Sequence, residues 1–322
     1  MLKTLNHHLV KAMPFLTPSS LIIGILIGSQ TSHLTFLIPW IFAFMTFVGS
    51  LGSNFKQLAV VIQKPIPFLV SLLVLHLLMP LWAWGIGHLV FTDDPLTTTG
   101  FILAMVVPTG ITSFIWVTIH KGNIAFALSV ILIDTLLSPF IVPTSLSLFV
   151  GEKVSIDSWD LMKNLILMIV LPSVLGMLLN QLTKGKIKST LGEKLSPFSK
   201  IGIVIIVIIN GGLLSPYLNK FDLKVLLIIM TVFIISSMGY LLSWVISGLF
   251  HYERDVVVSM TFCGGMRNIS AGSVLAVTFF PPAVALPVVL GMLFQQILAS
   301  FYGQMLHKYY YSKKYKHRFS TQ

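Results

Sequence analysis

An arginine and an asparagine, Arg267 and Asn268, stand in the middle of an apolar run from Val256 to Phe279. That run has the length of a bilayer crossing, for which about 20 apolar residues suffice. Directly before them lie Gly264 and Gly265, and Ser270 and Ser273 follow. A helix-interior glycine costs roughly 1 kcal/mol relative to alanine, and an arginine at a helix centre about 3 kcal/mol on insertion scales. Irregular backbone at membrane depth is tolerated only where protein or a wet cavity surrounds it. A second stretch, Pro108-Thr109-Gly110-Ile111-Thr112-Ser113, combines a proline, a glycine and three hydroxyls inside another apolar run. At such breaks backbone N–H and C=O groups lose their helical partners and become available to ligands. Half-helix N-termini favour anions and C-terminal ends favour cations. Thr109, Gly110, Thr112, Asn268 and Ser270 are therefore the candidate contacts for a small polar organic anion, with Ser113 and Ser273 adding hydroxyls.

Two further ionisable residues lie deep in apolar sequence. Asp134, in Leu132-Ile133-Asp134-Thr135, is the acid placed well inside a span, and His76 sits in Leu75-His76-Leu77-Leu78-Met79-Pro80. Intramembrane charges normally face a cavity or a partner, so Asp134 is a charge partner for Arg267 or a proton carrier. His76 is either a proton carrier or a hydrogen-bonded packing residue, and any one Ser or Thr could simply bond back to its own helix. No phosphate-binding loop, zinc-ligand spacing or nucleophile elbow is present, so neither ATP hydrolysis nor metal-dependent catalysis is expected.

The elements that must hold these residues are membrane spans. The chain of 322 residues is 55% hydrophobic and 10% charged, against about 25% charged in soluble domains. About ten spans can be drawn, near 13–29, 36–52, 66–91, 96–120, 123–150, 159–181, 197–218, 223–248, 255–279 and 282–306. With the N-terminus inside, cytoplasmic segments hold sixteen Lys and Arg and outer segments three, namely Lys153, Lys220 and Lys224. That bias predicts an even number of spans with both termini cytoplasmic. It also explains the net charge of +11 without nucleic acid, and places the basic tail with Tyr309, Tyr310 and Tyr311 against anionic lipid. Lys3 and Lys11 precede an apolar stretch, but Pro14 and Pro18 and the lack of a clear cleavage site suggest a retained first span. Gly24-x-x-x-Gly28 permits close helix packing. The single cysteine, Cys263, rules out an internal disulfide framework.

The halves look related. At an offset of 154 residues Pro18-Ser19-Ser20-Leu21 meets Pro172-Ser173-Val174-Leu175, and Gly110 meets Gly264. Five spans per half implies inverted repeats, 1–150 and 151–322 with its basic tail. Interrupted segments at matching positions of such repeats mark a transporter's midplane site.

Leu78-Met79-Pro80-Leu81, Pro108 to Ser113, Lys121-Gly122-Asn123 with Ser129 and Ser138-Pro139, and Gly265-Met266-Arg267-Asn268 occur in one order and spacing. In these pieces the chain resembles the bile acid:sodium symporter family, in a bacterial branch, over nearly its whole length. The resemblance implies an all-α polytopic membrane protein: ten helices in two inverted repeats, helices four and nine broken and crossing, and a core domain moving against a panel domain. It further implies two sodium ions behind the crossing, with a cation site at His76, Ser113, Ser129, Cys263, Gly264, Met266 and Arg267, and sodium ligation at Ser113, Ser129 and Met266. Several of these positions depart from the family pattern. A glutamate falls on Cys263, glutamines fall on Arg267 and His76, an asparagine on Phe114 and a threonine on Ile133. Such changes remove a negative charge and add a positive one.

The expected function is cation-coupled symport of a small organic anion across the bacterial plasma membrane by alternating access, with Na⁺ as the family's coupling ion and no other cofactor. A sodium-independent or proton-coupled carrier, with Arg267 replacing a sodium ion, is the reading the substitutions motivate. A non-transporting membrane sensor using the same cavity is the alternative of another class. No nucleic-acid or protein partner is expected, only the substrate and the bilayer.

Overall fold

The computed structural model describes residues 2–56, 63–151, 157–218 and 222–319. Lys153 and Lys220, two of the three lysines expected outside, fall outside these residues, as do the side chains of Lys3, Lys11 and the tail beyond Tyr310. Within them the chain is helical. The helices are α1 (Leu2–Ile27), α2 (Ile38–Ser50), α3 (Pro65–Val90), α4 (Pro95–Val106), α5 (Ser113–Ile119) and α6 (Ile124–Val150). They continue as α7 (Ser158–Leu182), α8 (Glu193–Leu218), α9 (Leu223–Leu249), α10 (Arg254–Gly265), α11 (Ile269–Phe279) and α12 (Pro282–Phe319). Seven helical stretches among the described residues are long and apolar enough to cross a membrane. Pro18–Ile27, Pro95–Val106 and Ile269–Phe279 are apolar but shorter. This is an integral membrane protein.

Local sequence sets the boundaries. Asp94, Asn123, Asp157, Asp222 and Asn268 each accept a backbone N–H in the first turn of the helix they precede, which supplies an orphan donor with a partner. Within α3 and α7 one turn widens to π geometry, at Val74–Leu78 and Ile166–Val170, in each case just ahead of a proline, Pro80 or Pro172. Proline has no N–H to give and its ring crowds the carbonyl four residues back. A π-bulge absorbs that mismatch without ending the helix.

Packing divides the helices. α1, α2, α7 and α8 lie mainly against one another, while α3, α4, α9, α10, α11 and α12 form a second set to which α5 and α6 attach. The closest approach in the first set is α1 on α8, where a Cβ on Gly211 would lie 2.6 Å from the Leu21 carbonyl and one on Gly24 would strike the Ile208 carbonyl. Gly28 does not share that role; it sits at φ +70 where α1 ends. Ion pairs tie the second set at both ends of α3. Lys64, preceding α3, lies 3.1 Å from Glu253, which precedes α10. Lys224, starting α9, lies 2.7 Å from Asp94, which precedes α4. α3 and α9 start 158 residues apart, as do α6 and α12, while α1 and α7, and α5 and α11, start 156 apart.

Candidate functional site

Both expected breaks are present, and they meet. Val107 is extended (φ −62, ψ 148), as a residue before proline must be, and helix resumes at Ser113. On the other side Met266 is extended and Asn268 non-helical before α11 begins. Between the breaks Thr109 and Arg267 form an antiparallel bridge. The Gly110 N–H donates to the Met266 carbonyl at 2.9 Å, and the Asn268 N–H to the Pro108 carbonyl at 2.7 Å. The groups that each break strips of helical partners are thus satisfied by the other. Gly110 is needed for this approach, since a Cβ there would lie 2.8 Å from the Arg267 carbonyl.

Behind the bridge lies a buried polar cluster. Asp134, on α6, is fully buried. Its Oδ2 accepts the Thr109 N–H at 2.7 Å, and its Oδ1 lies 2.8 Å from His76 Nε2, a short contact without the alignment of a hydrogen bond. The π turn of α3 presents both His76 and the Leu75 carbonyl to this place, and that carbonyl accepts a hydrogen bond from Arg267 Nη2 at 3.0 Å. Arg267 is 2% exposed, and its Nε and Nη1 have no protein partner among the described residues. Asp134 and Arg267 act on each other electrostatically, but the contact partner of Asp134 is His76, not the arginine the sequence suggested. The Thr109 hydroxyl donates to the Cys263 carbonyl at 3.2 Å, and the Ser113 hydroxyl lies within reach of the buried Cys263 thiol.

The sequence-derived residues fall into two groups. Arg267, Met266, Cys263, Gly264, Ser113, Ser129, Asp134, Thr109 and Gly110 are buried, with His76 at the edge, while Thr112, Asn268 and Ser270 remain partly exposed beside Ile111. The open group flanks the N-terminus of α11, whose first N–H groups have no partner within the helix apart from the one on Ala271 that the Asn268 side chain accepts at 3.2 Å. Of the Ser and Thr side chains, Ser129 bonds back to Ala125 O and Ser273 to Ser270 O. For sodium the buried group is a poor donor set. The Met266 carbonyl already accepts a hydrogen bond, Arg267 brings N–H donors where a cation needs oxygens, and the unbonded side-chain oxygens are two, the Ser113 hydroxyl and Asp134 Oδ1.

Residue-type reasoning missed the Leu75 carbonyl and the Thr109 N–H, because backbone groups carry no residue signature. Pro80 was the available signal for the first: a proline inside an apolar helix frees carbonyls one turn back. The support of α10 was also hidden. Its Gly264 and Gly265 pack onto Ser243 and Tyr240 of α9, and Tyr240 in turn donates to the Gln295 carbonyl of α12 at 2.9 Å.

The model of the "Sodium Bile acid symporter family" matches residues 39–221. The chain is 50% identical over 297 residues to the uncharacterised protein YbaS of Bacillus subtilis, covering 92% of this chain and 97% of that protein. It is 26% identical over 290 residues to YocS of the same organism, described as an uncharacterised sodium-dependent transporter, covering 87% and 86%. It is also 26% identical over 208 residues to a rice chloroplast protein, the probable sodium/metabolite cotransporter BASS1, covering 64% of this chain and 49% of the relative.

Proposed function

Because the chain belongs to the sodium/bile acid symporter family, a family of transporters and not of enzymes, we propose that it is a secondary active carrier of a small organic anion working by alternating access. The observation that carries this reading is the pairing of two broken helices, open on one side and charged behind. On the open side Thr112, Asn268 and Ser270 offer neutral hydrogen-bonding groups around the N-terminus of α11, where the helix dipole favours negative charge. Behind it the Arg267 guanidinium adds a positive potential that little water screens. A carboxylate with a small polar body suits such a place.

The moving parts are proposed from the packing. α1, α2, α7 and α8 would form the panel and the remaining helices the core, with the anion between them. Two inverted repeats, 1–150 and 151–322, account for the symmetry of the contacts. The bonds Gly110 to Met266 and Asn268 to Pro108 are exchanged by a shift of 158 residues. The ion pairs Lys64–Glu253 and Lys224–Asp94 exchange in the same sense, as contacts across a two-fold axis do. On this reading the pairs lie at opposite membrane faces, about 39 Å apart along a 26-residue helix. Sodium is the ion named for several relatives. A plasma-membrane location, with both termini cytoplasmic as the lysine distribution favours, completes the reading.

Uptake of radiolabelled mono- and dicarboxylates into proteoliposomes tests the proposal. Saturable uptake lost in Asn268→Ala is expected. A protein that binds a carboxylate but moves none would be a sensor, and the carrier reading would fall.

A further inference from the structure

We infer that the positive charge at the crossing is supplied by the tethered guanidinium of Arg267 in place of a co-transported sodium ion, so that transport is indifferent to the sodium gradient. This rests on the proposed carrier function and concerns the same site.

The charge balance comes first. Among the described residues the buried charged side chains are Asp134 and Arg267, and their formal charges cancel. A sodium ion added behind the crossing would leave one positive charge unmatched in a buried place. Burying an unpaired charge is strongly unfavourable, and a fixed guanidinium beside it repels the newcomer. An ordinary symporter site needs the reverse, an excess of negative charge that the cation itself neutralises.

Ligand supply points the same way. A hard cation is held by several oxygens. Here the carbonyls of Leu75, Cys263, Met266 and Pro108 already accept hydrogen bonds from Arg267, Thr109, Gly110 and Asn268 respectively. Asp134 Oδ2 accepts the Thr109 N–H, while Oδ1 lies 2.8 Å from His76 Nε2 without a hydrogen-bond partner. What the cluster still offers are the Arg267 Nε and Nη1 donors, which attract an acceptor, and two unbonded side-chain oxygens, the Ser113 hydroxyl and Asp134 Oδ1, fewer than the several a hard cation needs. The π turn at Val74–Leu78 strengthens the case. It releases one carbonyl into the cluster, and the guanidinium, the very group argued to replace the ion, takes it. Because Arg267 is part of the chain, its charge cannot be released with the substrate as a co-transported ion would be.

The test uses the purified full-length protein. Its unfolding midpoint, followed by tryptophan fluorescence, is titrated with NaCl against choline chloride at equal ionic strength. A ligand that binds the folded state raises that midpoint by mass action. The wild type and Arg267→Lys are expected to behave identically in the two salts, whereas Arg267→Gln, which leaves Asp134 without its counter-charge, should gain a sodium-specific rise. A saturating sodium-specific rise in the wild type overturns the inference, whether or not Arg267→Gln folds. In proteoliposomes, carboxylate uptake should be equal with an inward sodium or choline gradient. Sodium-stimulated uptake would overturn the inference while upholding the carrier. Failure of every carboxylate to cross would count against the carrier, and the salt titration would still decide the question of sodium.

Discussion

The buried charges lend themselves to a quantitative test, because Asp134 and Arg267 are the buried charged side chains among the described residues and act on each other without direct pairing. Asp134→Asn keeps an oxygen for the Thr109 N–H but removes the charge that offsets Arg267. Removing one member of a buried pair typically costs about 3–5 kcal/mol, because the partner is left as an uncompensated buried charge. Arg267→Gln should cost a similar amount from the other side, with a further loss at the Leu75 carbonyl, since stranding a buried acceptor costs about 1–3 kcal/mol. If the two charges balance each other, the double variant escapes most of both penalties. The cycle should then return a coupling energy of about 2 kcal/mol or more, within the range measured for residues in one network. The chain carries its own reporter. Cys263 is its single cysteine and is fully buried, so its reaction with a maleimide fluorophore during heating or denaturant titration follows the opening of this region. Additive losses, with the double variant as unstable as the two singles together, would refute the reasoning and separate Arg267 from Asp134.

Other perturbations follow from the same geometry. Gly110→Ala would force a Cβ to 2.8 Å from the Arg267 carbonyl, so the paired breaks must part; about 1–3 kcal/mol of stability and most uptake should be lost, measured together on one preparation. Asn268→Ala removes the α11 cap and should cost about 1 kcal/mol, whereas Asn268→Asp should retain the stability and lose anion affinity. At the loop before α4, partial burial pushes the Asp94 carboxyl up, but Lys224 and two hydrogen bonds from Thr97 outweigh this and hold it below its ordinary 3.8. A depressed carboxyl contributes stability that is complete above its unfolded value and lost as pH falls through the folded one. Unfolding midpoints should therefore drop on acidification below 3.8, and Lys224→Gln should flatten that limb, by no more than about 1 kcal/mol for so exposed a pair.

Membrane insertion, the approximate spans and both breaks were legible because each is a statement about local composition. Twenty apolar residues, or a Pro-x-Gly or Gly-Gly-x-Arg inside them, have the same consequence wherever the chain goes next. The helix caps at Asp94, Asn123 and Asn268 are equally local. The identity of partners was not local. Asp134 meets His76 because α6 and the widened turn of α3 lie side by side behind the bridge, a distance of 58 residues that no spacing rule spans. At the crossing Gly110 pairs with Met266 and Asn268 with Pro108, through backbone groups that carry no residue signature. The sequence by itself determined that an arginine had to be buried here and that a broken helix had to receive it. Only the tertiary structure decided that Asp134 would meet His76 instead and that an N–H of the arginine would go to the Leu75 carbonyl. Satisfying a buried charge depends on which elements pack together, and packing is a property of the assembled helices.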